Sequence, residues 1–141
     1  MRIVVDASVA LKWFFRLRDD EEDVDAALRV LHGVHAGELS LLQPPHFLAE
    51  VAAVLAREAA DSAAAHLRDL CDIEMQVLES TAAYERAIGL SARYQHHLFD
   101  TLYHAVALES DALLVTADAH YARKARALGG LSTLSEFARR L

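Results

Sequence analysis

The chain has 141 residues, 54% hydrophobic and 25% charged, which suits a single packed domain over residues 1–141 and excludes a disordered tail. Its one cysteine, Cys71, excludes an internal disulfide framework and a cysteine-built zinc site, and points to a reducing, cytoplasmic setting. The formal charge of −7 is carried almost entirely by six acids within Asp19–Asp25, so the chain shows no basic excess of the kind nucleic-acid binders display.

Apolar periodicity and capping residues give the elements in chain order. Ile3–Val5 is a continuous apolar run suited to a buried parallel strand, and it leaves no room for a signal peptide. Ser8–Arg16 reads as a helix capped by Asp6 or Ser8, and Glu21–His35 as a second helix with Val24, Leu28 and Leu31 on its inner side. Leu39–Leu42 is a strand stopped by Pro44 and Pro45, with Pro45 placed as the first residue of a helix reaching Ala59. Asp61 and Ser62 cap a helix to Asp72, Met75–Leu78 is a short strand, and Thr81–Tyr94 is a helix capped by Ser80 or Thr81. Asp100 opens the next helix, Leu113–Val115 is another apolar strand, and Asp118 opens a helix to Leu128 that Gly129 and Gly130 end. A strand at Leu131–Thr133 and a helix over Ser135–Arg140 complete the chain. Strands that alternate with helices and lack in/out alternation imply an α/β sandwich around a short parallel sheet. No apolar run reaches the ~20 residues of a membrane span.

Four carboxylates stand out. Asp6 directly follows the first strand, Asp118 follows the LLVT run by two residues, and Asp100 starts a helix. In open parallel sheets the ligand crevice lies at the carboxyl ends of the strands. Glu50 sits inside an almost apolar helix beside Phe47, Val51 and Val54, so it must be exposed, paired or bound to a cation. Taken singly, each Asp fits a helix cap, and Glu50 fits a boundary position. Taken together at one sheet edge, these acids would repel one another unless a divalent cation joined them. All-oxygen ligands select hard ions such as Mg²⁺ or Mn²⁺.

Asp6 in VVDASV, Glu50 in PPHFLAEVAAVL, Asp100 in HLFDTLYHAVAL and Asp118 in LLVTADAHY resemble the four acidic motifs of PIN-domain ribonucleases, closest to the VapC toxins of type II toxin–antitoxin systems. The likeness runs over nearly the whole chain, in order and in spacing. Ser8 and Thr116 stand where that family often keeps a hydroxyl near the metal. Ala53 and Thr101 depart from it, where relatives often carry Asn and Ala. The resemblance implies a three-layer sandwich with a short central parallel sheet flanked by helices. It implies a Mg²⁺-dependent endoribonuclease, Mn²⁺ being the other ion considered, with Asp6, Asp100 and Asp118 as metal ligands and Glu50 binding directly or through water. Thr116 would orient a carboxylate or the attacking water. Its implied partners are an RNA substrate and a VapB-type antitoxin, in a homodimer or a hetero-oligomer with that antitoxin.

The remaining features divide between functional and structural readings. Arg123, Lys124 and Arg126 suit phosphate positioning, or else, with Arg139 and Arg140, charges at helix ends. The acidic run reads as a solvated helix start that could meet a basic partner segment. Among eight histidines no metal motif recurs and most read as surface or boundary residues; His104, four residues after Asp100, is the one expected nearest the pocket, as a core or supporting residue rather than a general base. Trp13, Phe14 and Phe15 read as core first and as a partner surface second. Rival classes are a phosphoryl-transfer or receiver-like domain, disfavoured by Ser8 at the second D-x-D position, and a non-catalytic PIN-like RNA- or protein-binding module.

Overall fold

The apolar runs near residues 3, 41, 76, 114 and 132 become five strands in the computed structural model, which describes all 141 residues. The strands are β1 (Arg2–Val5), β2 (Ser40–Gln43), β3 (Met75–Val77), β4 (Leu113–Thr116) and β5 (Leu131–Thr133). The helices are α1 (Ala7–Phe14), α2 (Val24–His35), α3 (Phe47–Glu58), α4 (Ala63–Cys71), α5 (Thr81–Tyr94), α6 (Leu98–Glu109), α7 (Ala119–Ala125) and α8 (Leu134–Ala138). All strands are parallel, in the order β3-β2-β1-β4-β5. The helices flank this sheet, giving the α/β sandwich the sequence pattern implies.

The strand order explains where a ligand can sit. The chain builds from β1 outward to β2 and β3, then returns to place β4 on the other side of β1. The carboxyl ends of β1 and β4 therefore form a switch point, the place where open α/β sheets leave a crevice. Val5 lies opposite Val115 in the register. One step further along, Asp6 must fall beside Thr116.

Ile3, Val4 and Val5 are wholly buried, as are Leu114, Val115, Val51 and Leu55 to within 1%. Each such side chain contributes about 1.5–3 kcal/mol on leaving water. Helix α6 is buried without a break from Thr101 to Ala107 and packs on β1, β2 and β4, with α5 beside it. Thr101, one of the departures from the resembled pattern, donates its hydroxyl to the Ala87 carbonyl at 2.9 Å and so ties α6 to α5. Trp13 and Phe15 belong to the core, as read from sequence, while Phe14 is half-buried against His66.

Helix boundaries are where the structure departs from the sequence reading. Helix α1 stops at Phe14, and α2 begins at Val24 rather than Glu21. Five successive acids, Asp19–Asp23, would crowd like charges onto one helical turn, and they lie instead in the connection. Lys12 pins that connection through Glu21 at 2.9 Å and the Glu22 carbonyl at 2.7 Å. Pro45 lies in a turn, and α3 starts two residues later. The helix expected to run from Asp118 to Leu128 breaks into α7 and a 3-10 turn, Arg126–Leu128. Gly130, at φ +68, could not take a side chain without meeting Leu108. Helix α8 is capped by Thr133, which accepts from the Glu136 amide at 3.3 Å, and it ends before Arg139.

Candidate metal-binding site

Asp6 lies at the point where β1 gives way to α1. It occupies the N-cap position of α1 yet makes no side-chain capping bond. Its carboxylate turns instead toward the switch point, where the hydroxyls of Ser8 and Thr116 each donate to one of its oxygens. The two hydroxyls are fixed in turn: Ser8 Oγ accepts from the Ala117 amide at 3.2 Å, and Thr116 Oγ1 from the Asp118 amide at 2.9 Å. Ser8 and Thr116 thus knit the ends of β1 and β4 together and set the orientation of Asp6. Asp118 does cap its helix: Oδ1 accepts from the Tyr121 amide at 3.1 Å. Its other oxygen remains free to face the crevice.

Asp100 sits inside the first turn of α6, not at its cap, which is His97. The imidazole of His96 lies between Asp100 and Asp118, with Nε2 at 3.1 Å from one carboxylate and 3.7 Å from the other. One donor atom from each of His96, Asp100 and Asp118 falls within 4.8 Å of the others, a spread a single ion could span. Asp6 and Glu50 stand outside that trio and border it. Glu50, on α3, accepts from the Tyr103 hydroxyl at 2.8 Å and lies 3.2 Å from His46 Nε2. Its position on an apolar helix is therefore met by pairing. His46 also bonds the Phe99 carbonyl at 2.6 Å, and its Nδ1 is buried without a partner.

The electrostatics report crowded negative charge. Burial pushes the Asp6 carboxyl up to about 6; repulsion from Asp118 adds to this, and the two hydroxyl hydrogen bonds oppose it. Asp100 is raised as well, chiefly by burial, then by Glu50 and Asp118, with His96 acting in the opposite direction. Burial and the neighbouring Glu50 hold the Tyr103 phenol far above its ordinary range. No lysine or arginine forms an ion pair with any of the four acids; only histidines do. A divalent cation fits this donor set. It would supply the missing countercharge, and the oxygen-rich surroundings suit a hard ion.

His104 does not approach the pocket: it is fully buried and bridges the Tyr121 hydroxyl and the Gly129 carbonyl, each at 2.8 Å. Burial lowers its basicity, and it acts as a neutral core link. The histidines at the pocket are His96 and His46, each placed four residues before a motif acid. That i, i+4 spacing is visible in the sequence. Among the basic residues, Arg126 is held by Glu136 at 3.0 Å and Arg140 by Ser132 at 3.1 Å, while Lys124 reaches His96 Nδ1 at 3.3 Å. Arg123 is exposed on α7, the helix that Asp118 caps.

Comparison with known proteins bears on this geometry. The PIN domain family model matches residues 3–127. No curated protein matches the chain. Among solved structures, PAE2754 from Pyrobaculum aerophilum aligns with a TM-score of 0.68 at 22% identity, covering 99% of this chain and 97% of its own. VapBC2 from Rickettsia felis, solved bound to a DNA fragment from its promoter, aligns at 0.64 and 13%, covering 94% and 98%. The Mycobacterium tuberculosis toxin VapC20, described as cleaving the sarcin-ricin loop, aligns at 0.65 and 15%, covering 86% and 94%. At these identities the structural likeness speaks to fold. The family match, which takes in all four acids, shows that the chain belongs to the PIN domain family.

Proposed function

We propose that this protein is a metal-dependent endoribonuclease acting as the toxin of a VapBC-type pair, with Asp6, Asp100 and Asp118 as ligands of Mg²⁺ or Mn²⁺ and Glu50 completing the acid pocket. The observation that carries the reading is the meeting of acids from β1, α3, α6 and the end of β4 at the switch point without a basic partner. Membership of the PIN family and the fold shared with VapC proteins support it.

The ion, when bound, neutralises charge on the phosphate and eases deprotonation of water, the chemistry phosphodiester hydrolysis requires. The chain's own residues prepare the pocket. Ser8 and Thr116 hold Asp6 in one orientation, and the α7 amides hold Asp118. Tyr103 fixes Glu50 by donating its phenolic hydrogen, and burial keeps that phenol protonated. Arg123, exposed on α7, is proposed to meet a substrate phosphate. The proposed protein partner is a VapB-type antitoxin. The surface between α1, α2 and α4, lined by Trp13, Phe14, Leu17, Leu31 and Ile73, is where an apolar segment would find purchase, with Leu17 92% exposed. No helix is long and apolar enough to cross a membrane.

Cleavage of a mixed RNA pool by the purified protein tests the reading. Internal cuts are expected with Mg²⁺ or Mn²⁺, none with EDTA, and at least a ~100-fold loss of rate in Asp118→Asn. RNA bound but left uncut under all conditions would favour the non-catalytic module instead. Full activity of the variant would remove Asp118 from the site.

A further inference from the structure

We infer that His96 is itself a ligand of the cation, making the pocket a mixed nitrogen–oxygen site that prefers Mn²⁺ to Mg²⁺. This rests on the reading above that the pocket takes a divalent ion, and it deepens that reading by naming the donor that sets which ion is held. The acids alone would favour neither ion strongly. An imidazole changes that balance, because Mg²⁺ demands oxygen donors in a near-ideal octahedron and gives up water reluctantly, whereas Mn²⁺ accepts nitrogen.

Three observations converge on His96. Its Nε2 points between Asp100 and Asp118, at 3.1 and 3.7 Å, so one ion could reach the nitrogen and both carboxylates together. Donors around one ion lie about 3 Å apart when adjacent and about 4 Å when opposite, and the trio spans no more than 4.8 Å. The ring is also held in place. Its side chain is 9% exposed, and it packs on Tyr121 with centroids 4.9 Å apart. The backbone is pinned too: Gln95, at φ 50, turns the chain out of α5, and the Ser91 hydroxyl donates to the His96 carbonyl at 2.5 Å. Little ordering is left to pay for when an ion arrives.

The far nitrogen completes the picture. Lys124 Nζ lies 3.3 Å from Nδ1, so the ring is contacted at both of its nitrogens. The only other bond of Lys124 is to the Gln95 carbonyl at 3.4 Å. His46 offers no comparable nitrogen. Its Nε2 is taken by the Phe99 carbonyl at 2.6 Å, and only Glu50 among the acids pairs with it.

The test is metal binding by the full chain after EDTA stripping, with Mn²⁺ followed by electron paramagnetic resonance and Mg²⁺ by competition. Pulsed measurements on bound Mn²⁺ are expected to show a ¹⁴N coupling that disappears in His96→Gln and survives in His46→Gln. Mn²⁺ affinity should fall about tenfold in His96→Gln while Mg²⁺ affinity falls less than about threefold. A histidine that merely shapes the pocket would move both affinities together. Mn²⁺ uptake without nitrogen coupling, or with coupling that persists in His96→Gln, overturns the assignment of His96 and leaves the acid site standing. Absence of uptake by the unmodified chain overturns the site and this assignment with it.

Discussion

The carboxyl of Asp6 is half-buried at the end of β1, receives hydrogen bonds from the uncharged hydroxyls of Ser8 and Thr116, and feels the charge of Asp118. Its pKa rises from an ordinary 3.8 to about 6. A carboxyl raised on folding contributes stability that is fully present below its unfolded pKa and lost as pH rises through the folded one. Asp6→Asn should therefore stabilise the metal-free protein at pH 8 by about 1–2 kcal/mol, a figure reduced from the full shift because the residue is partly exposed. At pH 4 the gain should vanish. Urea unfolding in EDTA at the two pH values checks this, and a less stable variant at pH 8 would show that Asp6 carries no unrelieved charge. Asp6 and Asp118 were legible in the sequence because each follows an apolar run that can only be a strand. The two pocket histidines were not singled out. His104 and His96 stand at the same spacing from Asp100, four residues after and four before, and what separates them is the left-handed backbone of Gln95, which turns the chain out of α5 ahead of His96 and which no periodicity announces.

At the scale of elements, the register between β1 and β2 is short, with pairs only at Arg2–Ser40 and Ile3–Leu41. Beyond it the fully buried Gln43 substitutes for the missing ladder: its side chain accepts from the Val5 amide at 3.1 Å and donates to the Val5 carbonyl at 2.9 Å. This bond pair fixes the residue immediately before Asp6. Gln43→Leu strands both backbone groups in the core, and a loss of about 2–4 kcal/mol in urea unfolding is expected. A variant within 0.5 kcal/mol of the parent, on the order of ordinary surface substitutions, would contradict this role. Strand and helix identities were readable from period and caps. Helix starts were less so, because charge crowding at Asp19–Asp23 and the turn at Pro45 act through neighbours that a local pattern does not contain.

Across the whole molecule, function depends on topology. Alternating strands and helices imply a parallel sheet, but several strand orders satisfy that pattern. The order β3-β2-β1-β4-β5 makes residues 6 and 118 neighbours, 112 positions apart in the chain, and lets α6 and α3 deliver Asp100 and Glu50 to the same edge. The acidic run at Asp19–Asp23 stays in the α1–α2 connection, tethered by Lys12 through Glu21 and the Glu22 carbonyl. On the proposed function, a divalent ion would sit where the ends of β1 and β4 meet the start of α6. Anomalous diffraction from crystals soaked in Mn²⁺ tests it most directly. A peak bounded by Asp100, Asp118 and His96, with Asp6 at its border, is the predicted result; a map with no peak there, or with Mn²⁺ found only on other surface acids, would contradict it.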